Sequence, residues 1–376
     1  MHIIIAPDSF KGTLSSLEAG TIIKEAALSA FPVSSVDVLP MADGGEGTVE
    51  AVLSCVEGEK VCLTVSGPLG HGVRASYGRL SGNRAIMEMA EASGLMLVPE
   101  EKRNPLLTST FGTGEMMAQA MEAGIRTIIL GIGGSATCDG GMGAMKALGI
   151  RFLDKEGREL PGRGASLGQV EVIDFSRRHP LLAETEVIVL SDVKNPLCGE
   201  RGAVRAFAPQ KGADSAMVEE LERGMVHYRN ILEKTFRKNA DAIPGSGAAG
   251  GLGAALALFL HGRMVSGAEE MLRLAGFDKY LQDADLVVTG EGRSDGQSGE
   301  GKITGAIANR CRKWNVPCIV LSGSLGKGWE ILQQQGAFAV HGAVSPEEQE
   351  WAMAHPQAGL YQLAETFFRN WQERGE

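Results

Sequence analysis

The chain lacks an excess of positive charge, a long apolar run and any paired-cysteine signature, and each absence removes a class of protein. Lys and Arg number 36 against 46 Asp and Glu, a formal net charge of −10, so no broad cationic surface is expected for nucleic acid or an anionic membrane. No segment reaches the ~18 consecutive apolar residues that a membrane-spanning helix needs. The first residues, MHIIIAPDSFKG, have neither a basic n-region nor a long apolar h-region, so they are read as a first core strand and not as a leader. The six cysteines (Cys55, Cys62, Cys138, Cys198, Cys311, Cys318) form no C-x2-C pair and have no clustered histidine partners. A structural zinc site is therefore not expected, and free thiols in a reducing, cytoplasmic setting are. Aromatics are scarce at 5%.

What the chain has in abundance is glycine: 51 of 376 residues, about twice the usual ~7%. The excess has no three-residue period and forms no Gly/Ser tract, so it belongs to turns with work to do. An apolar fraction of 44% over 376 residues exceeds what one core usually serves, and two domains are expected. The opening alternates strand, polar glycine-bearing loop and helix: residues 2–6, a helix to about 31 capped by Ser15 with Glu18 as its capping-box partner, a strand at 36–39, then the loop MADGGEGT at 41–48. From about residue 59 three short strands joined by glycine turns suggest a mixed sheet. Helices are expected at 112–123, to 148, at 213–238 and at 254–260, with strands at 127–130 and 186–190. Strands at 286–289, 317–322 and 337–340 then return to the opening texture.

The fold expected is α/β with two α/β domains. One is a doubly wound, flavodoxin- or Rossmann-like parallel sheet built from both chain ends, residues 1–58 plus 280–376, and the other an inserted domain with a mixed sheet, residues 59–279.

Four loops carry candidate chemistry. Residues 284–310 lead an apolar strand through Gly290, Gly292, Gly296, Gly299, Gly301 and Gly305 to a helix near Ile303, a composition suited to close approach by an anion, most simply phosphate. Gly296-x4-Gly301-Lys302 is not a P-loop, since Ile303 stands where the Mg²⁺-holding Ser or Thr would be. Gly131-Ile-Gly133-Gly134-Ser135-Ala136 satisfies a dinucleotide-turn pattern, but no carboxylate ends a following strand at the usual distance. Gly245-x-Gly247-x-x-Gly250 follows no clean strand. Asp192 sits just past a strand end, where open α/β sheets place ligand groups, and a carboxylate there can accept a hydroxyl proton.

These loops occur as PDSFKG (7–12), ADGGEGT (42–48), FGTGE (111–115), GIGGSAT-x-DGG (131–141), SDVKNPLCG (191–199), PQKGA (209–213), GAAGGLGAAL (247–256) and TGEGRSDGQS (289–298). In that order they resemble the bacterial glycerate kinase family over nearly the whole chain. This sequence departs from the family in having Thr304 for Pro and Ala208 for Gly.

The resemblance implies ATP-dependent phosphorylation of D-glycerate with Mg²⁺, 2-phosphoglycerate being favoured over 3-phosphoglycerate. It makes Asp192 the base on the glycerate hydroxyl and puts Ser9, Lys11 and Asp43 at the substrate cleft. On that footing Arg293 or Lys11 pairs with the substrate carboxylate, and Lys302, Gly301, Gly133, Gly134, Ser135, Gly250 and Gly251 contact the nucleotide phosphates. Asp295 is expected to hold Mg²⁺, directly or through water. Two other readings are an NAD(P)-dependent 2-hydroxy-acid dehydrogenase using residues 131–136 and a non-catalytic sensor of small ligands.

Overall fold

The three isoleucines after His2 form the strand His2–Ile5, in which Ile3, Ile4 and Ile5 are all fully buried. A strand buried on both faces needs neighbours on both edges and a helical layer above and below. The computed structural model, which describes residues 1–299 and 301–374, supplies them. His2–Ile5 pairs in parallel with Ser35–Val38 on one edge and Leu286–Ser294 on the other. Cys318–Leu325 and Ala339–Ala343 extend the sheet in the same direction, so it has five parallel strands.

Alternate residues divide between the two helical layers. Ile3, Ile5, Leu286, Val288 and Ile319 pack with Ile23 of the helix Ser16–Ala30 and with Phe367, Phe368 and Trp371 of the helix Pro356–Arg374. Fully burying a side chain such as Phe368 contributes about 1.5–3 kcal/mol. Ile4, Val287 and Val320 are buried on the opposite side, where the helix Ile303–Trp314 presents Ile303, Ile307, Ala308 and Cys311. Ser15 starts the helix Ser16–Ala30 as expected, its Oγ accepting from the Glu18 amide while the Glu18 carboxylate accepts from the Ser15 amide at 2.8 Å. Such a cap contributes about 1 kcal/mol.

The second sheet has six strands in the order Arg263–Val265, Glu186–Leu190, Thr127–Gly131, Arg84–Glu88, Gly72–Leu80, Gly58–Ser66. Its first four are parallel and its last two antiparallel. The architecture is thus α/β, with a doubly wound parallel sheet made from both chain ends and a mixed sheet in the inserted segment. Contacts group Met1–Asp43, Glu50–Glu57 and the chain from Ser266 on as one unit, and Gly44–Val49 with Gly58–Val265 as another. The return therefore falls ahead of residue 280. Its reason is the helix Gly267–Ala275, which packs with Ile303–Trp314. Among the elements absent from the sequence reading are the short hairpin Arg151–Leu153 with Val172–Asp174 and the edge strand Arg263–Val265. At three residues each they are too short to leave a periodic signal.

Candidate functional site

The chain leaves His2–Ile5 toward Ser35–Val38 on one side of the sheet, and leaves Leu286–Ser294 toward Cys318–Leu325 on the other. Strand order reverses between these two central strands, and the loops after them must part. That crevice at the carboxyl ends is where doubly wound sheets bind ligands. A cavity of about 910 Å³ opens there, and every residue lining it belongs to the unit built from the chain ends.

The strand Leu286–Ser294 runs five residues beyond the expected end at 289, so Gly290 and Gly292 lie in strand and not in loop. A Cβ on Gly290 would sit 2.1 Å from the Leu321 carbonyl oxygen, and one on Gly292 would sit 3.3 Å from the Phe10 Cα. The glycines let neighbouring backbone close in. The extension also carries Glu291 and Arg293 to the cavity wall.

Asp8 follows the first strand. Its amide donates to the Gly290 carbonyl at 2.8 Å, and its Oδ1 accepts from the Ser9 amide at 2.7 Å. Burial pushes its carboxyl up to about 7, helped by the nearby charges of Asp43 and Glu291 and opposed by the Ser9 amide and Lys11. Glu291 is also buried, which raises its pKa, while Ser298, Lys302 and Ser294 pull it back. Its carboxylate accepts from Ser294 Oγ at 3.0 Å and lies 3.7 Å from Lys302 Nζ. Lys302 is the extended residue capping the helix Ile303–Trp314, preceded by Gly301 at φ +86°. Arg293 pairs with Asp295 at 3.6 Å, and Asp295 Oδ1 accepts from the Gln297 amide at 2.9 Å, stabilising the turn that follows.

Ser9, Lys11, Asp43, Arg293, Asp295 and Lys302 thus line one cavity, with Gly301 next in sequence to the last of them. Sequence reasoning missed Glu291, and put Asp8 only within a cleft loop. The signal for Glu291 was its place within TGEGRSDGQS, masked by the glycines on either side.

The other site residues belong to the second unit. Asp192 is half-buried just past Glu186–Leu190, in a loop tied back by the Ser191 amide to the Val265 carbonyl at 3.1 Å. A Cβ on Gly133 would lie 2.9 Å from the Gly45 Cα, and one on Gly134 would lie 3.2 Å from Glu46 Oε1. Ser135 Oγ accepts from Lys211 Nζ at 2.7 Å, and the same ammonium donates to the Thr137 carbonyl at 2.7 Å. Lys211 is fully buried, and burial lowers its pKa. A Cβ on Gly250 would lie 2.0 Å from the Thr137 carbonyl oxygen, and one on Gly251 would lie 2.8 Å from the Gly140 Cα.

Asp139 fixes the far end of the same loop, accepting from the amides of Thr110, Gly141 and Gly143 and from Thr110 Oγ1. Protein therefore lies against the Cβ side of Gly133, Gly250 and Gly251, and Ser135 Oγ is engaged by Lys211. The next helix, Met142–Ala147, begins well after the Gly131–Ala136 turn, whereas a dinucleotide turn needs its helix N-terminus at the glycines.

Among the described residues no group of three or more His, Cys, Asp and Glu is arranged to hold a metal. Mg²⁺ in nucleotide sites takes one or two carboxylates plus phosphate oxygens and water, and Asp295 is a carboxylate of that kind on the cavity wall. No helix among the described residues is long and apolar enough to cross a membrane.

Buried carboxylates opposed by lysines at the switch point of a doubly wound sheet define an α/β enzyme that handles small anionic ligands. Comparison gives the family: the glycerate kinase family model matches residues 3–372, and the chain belongs to that family. A glycerate kinase of Halalkalibacterium halodurans is 45% identical over 91% of this chain and 90% of its own length. A glycerate 2-kinase of Escherichia coli is 45% identical over 90% of each. A crystal structure from Salmonella typhimurium, described as a glycerate kinase 2, superposes with a TM-score of 0.85 at 38% identity, covering 100% of this chain and 99% of that one.

Proposed function

We propose that this chain transfers the γ-phosphoryl group of ATP to the 2-hydroxyl of D-glycerate, giving ADP and 2-phosphoglycerate. The observation that carries the reading is the switch-point cavity, which sets Lys11, Arg293 and Lys302 against buried Asp8 and Glu291 in a chain of this family. The Escherichia coli relative's name, glycerate 2-kinase, supports the choice of hydroxyl.

Phosphoryl transfer asks a protein for alignment and for neutralisation of charge on phosphate oxygens. Lys302, at the N-terminus of the helix Ile303–Trp314, where the helix dipole favours anions, is proposed to hold the phosphates. Gly301, at φ +86°, lets the chain turn into that helix. Lys11 and Arg293 are proposed for the glycerate carboxylate, and Ser9 and Asp43 for its hydroxyls. Asp192 is the proposed acceptor of the hydroxyl proton as the glycerate oxygen bonds to phosphorus and the bond from phosphorus to the ADP oxygen breaks. Mg²⁺ arriving with the nucleotide would neutralise charge on the β- and γ-phosphates, and Asp295 is the residue proposed to hold it, directly or through water. Gly133, Gly134, Ser135, Gly250 and Gly251 are proposed to shape the second unit by packing. The six free cysteines support a cytoplasmic location.

Coupled ADP release over a panel of small hydroxy acids, followed by phosphorus NMR of the product, tests the reading. D-glycerate should be the preferred acceptor, with phosphate on the second carbon. Phosphate on the third carbon would overturn the regiochemistry, and no glycerate-dependent ADP would overturn the activity.

A further inference from the structure

We propose that the end of the cavity walled by the helices Pro346–Ala354 and Pro356–Arg374 is the nucleobase subsite, with the Trp351 indole as its stacking platform. The inference rests on the kinase reading above, and the first support for it is length. The cavity floor runs along the carboxyl ends of the strands from Asp8 to Ala343, across His2–Ile5, Leu286–Ser294, Cys318–Leu325 and Ala339–Ala343. Three strand spacings at about 4.8 Å make about 14 Å, more than a three-carbon acid spans and within reach of an extended nucleoside triphosphate.

The second support is charge. Every Lys and Arg on the cavity wall, namely Lys11, Arg293 and Lys302, comes from the switch-point end. The helical end contributes Trp351, Met353, Leu360 and Leu363 with Glu347, Glu348 and, among the described residues, no cation. Phosphates are therefore drawn to the first end, and what reaches the second must be uncharged and largely apolar. A purine base attached through ribose meets that requirement.

The third is the platform itself. Trp351 is 41% exposed, unusual for an indole. His355 stacks on it with ring centres 5.2 Å apart and planes at 24°, which fixes the ring plane. A Cβ on Gly359 would lie 3.4 Å from Trp351 Cζ3, so one edge of the ring lies close against the start of the helix Pro356–Arg374. Gln349 Nε2 donates to the Val344 carbonyl at 3.2 Å, which anchors the start of the helix carrying Trp351 to the strand end.

The test uses the full chain and compares Trp351→Ala, Trp351→Phe and Met353→Ala with wild type. Readouts are kcat, KM for ATP and for glycerate, and inhibition by ADP and by inorganic tripolyphosphate, which has the phosphates without the base. Base–aromatic stacking of about 1–3 kcal/mol converts to about 5- to 150-fold. Trp351→Ala should raise KM for ATP and Ki for ADP by that factor while Ki for tripolyphosphate and KM for glycerate move less than about twofold. Trp351→Phe should recover most of the loss. Met353 is 66% exposed, so its truncation leaves the fold intact and should weaken ADP about two- to fivefold even if Trp351→Ala proves unstable.

Equal weakening of ADP and tripolyphosphate, unchanged ADP affinity in both alanine variants, or a change of oligomeric state in place of nucleotide affinity would each overturn the subsite. If wild type releases no ADP with glycerate, the kinase reading fails; calorimetric titration of ADP into wild type and Trp351→Ala then decides the subsite separately.

Discussion

Asp8→Asn should make the ligand-free protein more stable and the enzyme worse. The Asp8 carboxyl is 7% exposed and is raised from 3.8 to about 7 by burial and by the neighbouring Asp43 and Glu291 charges, against the Ser9 amide and Lys11. A carboxyl whose folded pKa lies above its unfolded one binds more protons in the native state, so its ionisation costs stability as pH rises. The penalty is absent below about 4, grows through the interval from 3.8 to about 7, and is constant above it. At about 1.4 kcal/mol per pH unit the ceiling is roughly 4 kcal/mol.

Asparagine is isosteric, keeps an oxygen for the Ser9 amide and carries no charge, so the variant should recover a large part of that ceiling. For a unit of this size, melting should rise on the order of 5–10 °C at pH 8. Differential scanning calorimetry at pH 8 and at pH 4.5 measures it, and the gain should shrink markedly at the lower pH. Activity at pH 8 should fall by roughly 10- to 1000-fold, the range for losing one preorganised charged group, which is the trade expected where a strained site serves function. Equal melting of variant and wild type at pH 8, or a gain as large at pH 4.5, would refute the placement of a strained carboxylate at Asp8.

Lys302→Ala removes both the proposed phosphate contact and the cation beside Glu291, so KM for ATP should rise about tenfold or more, and by more than KM for glycerate; steady-state kinetics in both substrates reads the ordering, and the reverse would move Lys302 to the acceptor side. Asp192→Asn should lower kcat by about 10²- to 10⁴-fold with an unchanged melting curve, and wild-type turnover would remove Asp192 as base. Gly250→Ala forces a side chain at φ +65°, 2.0 Å from the Thr137 carbonyl oxygen, and should cost roughly 2–4 kcal/mol; a melting temperature within about a degree of wild type would show that the two loops can part without cost.

The fold was legible where period and punctuation agreed. The box Ser15 with Glu18 marked a helix that begins at Ser16, and the strand Glu186–Leu190 lies at the residues its apolar run spans. The site was legible to the extent that its residues sit in loops: Ser9, Lys11, Asp43, Asp295 and Lys302 converge on one cavity. Two kinds of information were not local enough to read. Glycine normally weakens a strand, so Gly290 and Gly292 argued for loop, yet the Leu321 backbone requires glycine at 290 and the Phe10 backbone lies close against 292. Glu291, lying between them, was lost with the strand. The turn Gly131–Ala136 has the sequence of a dinucleotide site, but its Ser135 is bonded by Lys211, 76 residues away, and no local pattern reports that an ammonium from a distant segment reaches it.

The two cases have one cause. A glycine loop in sequence announces close approach of backbone to something, and only the structure says whether that something is ligand or protein. On the Cβ side of Gly133, Gly250 and Gly290 it is protein; at Gly301, where φ is +86°, glycine serves a turn that sets Lys302 at a helix start. The ligand-facing chemistry of the cavity thus comes mainly from side chains with charge, Asp8, Lys11, Glu291, Arg293 and Lys302, and the glycines around it govern where those charges stand. Substituting the charges should therefore change kinetics with limited effect on assembly of the sheet, apart from the gain at Asp8, whereas substituting the packed glycines should change melting first and kinetics only through it.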